Sequence, residues 1–242
     1  MHDGLHVFLR ERCLVSVTCV ETCYSQALQL NGRLMTVEQV LEEVLRDRAF
    51  YENSGGGVTL SGGEPSLSGD FVKRFLEQCK EKGLHTAIET CGEYPWAFLE
   101  VLLPVTDLIM MDLKQMAPDK HETATGRSND RILANARRLA LTNKPILFRT
   151  PVVPTVNDSD EEVGQIASFV RELIELREKN GNTRGGTTNI TYELLTFHKL
   201  ASDKYTSLGV KYEASTIDPP TSERMSELAD VARRCGIEAR IR

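Results

Sequence analysis

The sequence predicts an α/β fold: βα units built around a parallel sheet. Three observations lead there. Short apolar runs alternate with amphipathic stretches of helical period along most of the chain. At 242 residues, with 40% hydrophobic and 26% charged content, the chain is ample for one such domain with a large core. Polar and ionisable residues follow the apolar runs at regular places, as at the C-terminal strand ends of βα barrels.

Taken in order, the elements are as follows. Thr36 and Gln39 have capping-box spacing, with Met35 and Val40 as a staple, ahead of a helix whose inner face is Val37, Val40, Leu41, Val44 and Leu45. A strand at Val58–Leu60 runs into Gly62, Gly63, Glu64 and Pro65. Ser68 is placed to cap the next helix, which buries Phe71, Val72, Phe75, Leu76 and Cys79 and stops at Gly83. A strand at Thr86–Ile88 precedes a helical stretch, Pro95–Leu103, and a third apolar run, Leu108–Leu113. A helix at Asp130–Leu141 leads to a strand at Ile146–Val153. Asp158 and Glu161 open a long helix with Val163, Ile166, Ala167, Val170, Leu173 and Ile174 inward. Residues 180–189, NGNTRGGTTN, read as a flexible loop before a strand at Ile190–Leu195. Thr221 starts a last helix that ends at Gly236, and Ile237–Ile241 forms a short terminal strand. Crossovers between parallel strands are right-handed.

A formal charge of −6 argues against a general nucleic-acid binder. No apolar run reaches membrane-spanning length and the first residues lack a signal-peptide core, so a cytoplasmic location is expected.

The five strand ends carry Gly62-Gly63-Glu64, Glu89-Thr90, Asp112 with Lys114, Arg149, and His198. Glycines at a strand exit let backbone approach a ligand where a Cβ would block it. Asp112 and Lys114, two apart, point to one side of a strand. They form either a rim salt bridge or part of a zwitterion-binding cluster. Arg149 lies inside an apolar strand and needs an anionic partner. Glu89, Asp112 or a ligand carboxylate would serve.

Cys13, Cys19 and Cys23, with Ser16, have the spacing C-x2-S-x2-C-x3-C. That is a ferredoxin-type run with one thiolate replaced, suited to an iron–sulfur cluster, with zinc as the rival. Cys79 and Cys235 fall on inward helix faces, and Cys91 reads as structural.

These pieces resemble the glycyl-radical-enzyme activating enzymes of the radical S-adenosylmethionine (SAM) superfamily, among them the pyruvate formate-lyase activating enzyme. The motifs that carry the resemblance are GVTLSGGEP (57–65), IETCG (88–92), LIMMDLKQM (108–116), ATGRSNDRILAN (124–135), FRTPVVPTVND (148–158) and YELLTFHKL (192–200). Residues 35–57 are similar to members with a ferredoxin-like insertion. The resemblance implies a partial (β/α)6 radical SAM-type barrel at 35–242, lacking its first strand, and a remnant ferredoxin-like cysteine segment at 1–34.

It also implies roles. Gly62, Gly63 and Glu64 would hold the SAM methionyl amine. Glu89, Thr90, Asp112 and the carbonyl of Met110 would form a monovalent-cation site beside the methionine. Lys114, Arg149 and His198 would line the SAM pocket. The implied chemistry is reductive cleavage of SAM by a 4Fe-4S cluster, then hydrogen abstraction from a glycine of a partner glycyl radical enzyme. Electrons would come from a flavodoxin or ferredoxin.

One feature of the family is missing from these 242 residues: the C-x3-C-x2-C run that holds the catalytic cluster. The chain is therefore expected to be N-terminally incomplete and inactive as written. The alternative is a non-catalytic paralogue that binds SAM or the partner. A phosphate-binding barrel is disfavoured, because Glu64 beside the glycines repels phosphate.

Overall fold

The structure is a computed structural model that describes residues 8–30, 32–183 and 188–242. Part of the expected 180–189 loop, residues 184–187, lies outside the described residues. Six strands form one sheet: β1 (Gly57–Leu60), β2 (His85–Thr90), β3 (Leu108–Asp112), β4 (Ile146–Val152), β5 (Ile190–Thr196) and β6 (Ala239–Ile241). Their spatial order is the chain order, and every neighbouring pair is parallel. All six expected strands are present.

Ten helices are described: α1 (Thr18–Glu21), α2 (Val37–Leu45), α3 (Arg48–Ser54), α4 (Gly69–Glu81), α5 (Trp96–Glu100), α6 (Pro118–Thr125), α7 (Asp130–Ala140), α8 (Asp160–Lys179), α9 (Ser202–Leu208) and α10 (Ser222–Arg234). The capping box of α2 forms as its spacing predicts, with Thr36 Oγ1 accepting from Gln39 N and Gln39 Oε1 accepting from Thr36 N. Thr221 caps α10. Two other caps differ from expectation. Ser68 makes no side-chain cap, because a 3₁₀ turn over Pro65–Ser68 precedes α4 and is led by Glu64. Ser159 caps α8, while Asp158 turns back to accept the N–H of Thr155.

A parallel sheet in sequential order sends successive crossovers the same way, so its helices cover one face. The ladder register sorts the residues. Val58, Thr86, Ile88, Ile109, Met111, Phe148 and Tyr192 share the helix-covered face and are buried. One core packs β3 to β6 against α7, α8 and α10, and a second packs β1 and β2 against α2 and α4. Cys79 belongs to the second core, and burial pushes its thiol up to about 11. The opposite face carries Thr59, Ala87, Glu89, Met110, Asp112, Arg149 and Glu193. This alternation puts the charged strand residues together on one side.

Candidate functional site

The register sets Asp112 directly beside Arg149, with Glu89 beside Met110 one step away. Arg149 Nη2 donates to both Glu89 and Asp112, the latter at 3.1 Å. Lys114 Nζ donates to the other Asp112 oxygen at 3.0 Å. The four side chains form a chain of ion pairs with no net charge. Arg149 is 9% exposed, so its charge needs these partners. It lies at the middle of β4 and not at the strand end, level with the last residue of β3.

Burial works to raise the Glu89 carboxyl, but hydrogen bonds from Ser61 and Arg149 and the charges of Arg149 and Lys114 outweigh it, leaving it below the ordinary carboxylate value. Ser61, which the sequence reading passed over, thus joins the β1 exit to the quartet. Arg149 Nε is buried without a partner, and Nη1 reaches only Met110 Sδ at 3.9 Å.

Glu64 sits differently from expectation. Its carboxylate does not stand free beside the glycines. It accepts from Ser66 Oγ (2.8 Å) and Cys91 N (2.9 Å), and Thr90 Oγ1 lies 2.9 Å from both of its oxygens. Glu64 thereby pins the Gly62-Gly63 turn to the exit of β2. Thr90 is one residue from Glu89 and so faces the other way, 2.9 Å from the buried Tyr94 hydroxyl. Its hydroxyl lies against Glu64 and Tyr94. Thr90→Val removes that anchor, and urea unfolding should show a loss of about 1–2 kcal/mol.

Gly62 has φ +118°, which excludes most side chains. Gly63 has no such constraint, and a Cβ there would meet nothing within 4 Å. Nothing in the chain itself requires glycine at 63, which fits a backbone kept clear for a ligand. His198 is exposed just after β5, and its Nδ1 accepts only the N–H of Leu200 at 3.4 Å. The structure brings Glu89, Asp112, Lys114 and Arg149 together, pins Gly62-Gly63-Glu64 beside them, and leaves His198 outside their hydrogen bonds.

The cysteines behave otherwise. Among the described residues, no three His, Cys, Asp or Glu side chains are grouped to hold a metal ion. Cys13 accepts the N–H of Val15, and Cys23 sits between the Ser25 hydroxyl and the N–H of Leu28. Thiolates converge only when a metal repays the cost. As placed, Cys13, Cys19 and Cys23 do not make a cluster cradle.

Buried asparagines hold the loops around this rim. Asn157 donates to the carbonyls of Lys114 (2.8 Å) and Pro151 (2.9 Å) and accepts from Val153 N (2.7 Å). Asn135 donates to the carbonyls of Gly92 and Tyr94. The signal for Asn157 was its place in FRTPVVPTVND, just past a strand.

Residues 21–170 match the Radical SAM superfamily. That covers more than half of the chain. The chain belongs to this superfamily. A (2S)-3-sulfopropanediol dehydratase activating enzyme of Klebsiella oxytoca is 39% identical over 193 residues, covering 80% of this chain and 57% of that protein. The pyruvate formate-lyase 1-activating enzyme of Escherichia coli (strain K12) is 36% identical over 208 residues, covering 85% and 79%. Against the first three curated relatives, this radical SAM chain spans 57–60% of their length. Two solved structures agree in fold. A domain of pyruvate-formate lyase-activating enzyme from Bacteroides vulgatus ATCC 8482 gives a TM-score of 0.60 at 24% identity, covering 77% of this chain and 99% of that one. A radical SAM methyltransferase from Sphaerobacter thermophilus gives 0.60 at 20%, covering 87% and 58%. No helix among the described residues is long and apolar enough to cross a membrane.

Proposed function

We propose that this chain carries the SAM-binding sheet of an activating enzyme that generates a glycyl radical on a partner enzyme, with electrons from a flavodoxin or ferredoxin. The carrying observation is the neutral quartet of Glu89, Asp112, Lys114 and Arg149 beside the pinned Gly62-Gly63 turn. A zwitterionic amino acid has one cation and one anion. Glu89 and Asp112 receive its ammonium, and Lys114 and Arg149 its carboxylate, each exchanging an internal partner for a ligand one. The Gly62-Gly63 backbone lies at the exit of β1, with nothing within 4 Å of where a Cβ would stand. Bound SAM supplies an alkylsulfonium whose reductive cleavage provides the oxidising power for hydrogen abstraction. The residues of this chain bind and orient it.

The cysteine segment at 1–34 is a separate unit in this reading, preceding the barrel at 35–242. The 242-residue chain has no C-x3-C-x2-C run, so anaerobic reconstitution with iron and sulfide should yield SAM binding by calorimetry but no 5′-deoxyadenosine. Failure to bind SAM would remove the proposal. Abundant 5′-deoxyadenosine would refute the requirement for that run.

A further inference from the structure

A donor without an acceptor and an acceptor without a donor stand side by side on the face of the sheet that carries the quartet. Arg149 Nε is buried and donates to nothing, while Nη2 serves both Glu89 and Asp112. Glu193 is the direct neighbour of Arg149 on β5, paired with it in the ladder and on the same face. Glu193 is only 3% exposed, and its carboxylate accepts no hydrogen bond among the described residues. Arg242 Nε lies 3.6 Å away, on a side chain that is 75% exposed. A pair that long and that wet holds little. Arg240, opposite Glu193 on β6, is exposed and forms no ion pair with it.

Buried carboxylates and guanidinium N–H groups are ordinarily bonded. An unused donor next to an unused acceptor is what a guanidinium with two positions leaves behind in one of them. Ligand binding supplies the second position. An ammonium that takes Glu89 and Asp112 displaces the cation they now share, and the charge of Arg149 then needs another anion. Neighbouring strands lie about 4.8 Å apart, within the swing of an arginine side chain.

We propose that Glu193 is a positioning residue: when the ligand ammonium occupies Glu89 and Asp112, the Arg149 guanidinium turns to Glu193, which accepts its Nε–H and holds the fork toward the ligand carboxylate. The inference rests on the SAM-binding reading above and deepens it. Glu193 touches no ligand atom. It lets the quartet open without leaving a buried cation alone, and the planar fork keeps its remaining N–H donors for the ligand.

Glu193→Gln keeps the shape and removes the charge. Calorimetric titration of the full-length variant with SAM should give an affinity about tenfold weaker than wild type, the loss of one charge-assisted hydrogen bond. The ligand-free thermal midpoint should be unchanged or higher, because the variant gives up a buried carboxylate that nothing bonds. The direct readout is the Arg149 Nε–H signal in a nitrogen–proton correlation spectrum of isotope-labelled protein, assigned by its loss in Arg149→Lys. Saturating SAM should move that signal downfield and slow its exchange with water in wild type, and should do neither in Glu193→Gln. Unchanged SAM affinity, or a signal that responds alike in both proteins, overturns the proposal. A midpoint lowered by several degrees overturns it too, by making Glu193 a structural residue. Wild type that binds no SAM removes the mouth reading and this inference together, whereas wild-type binding with an indifferent Glu193→Gln removes this inference alone.

Discussion

Arg149→Leu should abolish SAM binding and cost the fold about 3 kcal/mol, because it removes the one cation shared by Glu89 and Asp112. Both carboxylates bond to the same Nη2, so without it they face each other across a half-buried surface. Lys114 still holds Asp112, but no hydrogen bond connects it to Glu89. The effect has a pH signature. The Glu89 carboxyl is depressed in the fold, so its stabilisation is present above the unfolded-state value near 4.5 and is lost as pH falls through the folded value. The stability gap between wild type and Arg149→Leu should therefore narrow below about pH 4.5. Chemical denaturation of both proteins across that range checks it, and a gap that stays constant would mean the pairing contributes nothing.

Arg177→Leu should be comparably severe for a different reason. This guanidinium is fully buried, and burial is what lowers its pKa. It donates to four backbone carbonyls: Leu139 (3.0 Å), Ala140 (3.1 Å), Lys144 (2.9 Å) and Thr188 (2.5 Å). Those carbonyls close the C-terminus of α7 and the entries to β4 and β5. Burial pushes the guanidinium down to about 10, so it stays charged at neutral pH. Leucine has no donors, so the carbonyls of Ala140, Lys144 and Thr188 lose the guanidinium while Leu139 O keeps Thr142 N and Oγ1. Some reach water and the buried charge is removed, so the net loss is about 3–5 kcal/mol. In a chain of this length that lowers the thermal midpoint by roughly 10 °C. A shift under a few degrees would show that the carbonyls find other donors.

The sheet was legible because its strands are short apolar runs spaced by amphipathic helices, and alternation sorted residues within a strand by face while the register across strands came from the structure. Asp112 and Lys114 at i and i+2 had to share a face, and they do. Thr90 shows the limit. Adjacent to Glu89, it had to face away, yet the family resemblance implied a place beside Glu89 and Asp112. Only coordinates reveal that its hydroxyl serves Glu64 and Tyr94. Glu64 was legible as a residue at the β1 exit but not as a pin, because its partners Ser66 and Cys91 come from two different loops. Arg149 could be read as needing an anion, and the sequence offered three. The structure supplies two at once. Helices α3, α6 and α9 went unread because they are short, of 7, 8 and 7 residues, and bury almost nothing. The thiols of 13–23 have informative spacing but no convergence, since spacing records what a metal would assemble and not what the chain assembles alone.

The central claim is that SAM is held where the exits of β1, β2 and β3 meet Arg149. Hydrogen–deuterium exchange with and without SAM tests it most directly. Protection should appear in the backbone of residues 61–64, 89–92 and 112–115 and leave α8 and α10 unchanged. Protection confined to the cysteine segment or the helix-covered face, or none at saturating SAM, would contradict it.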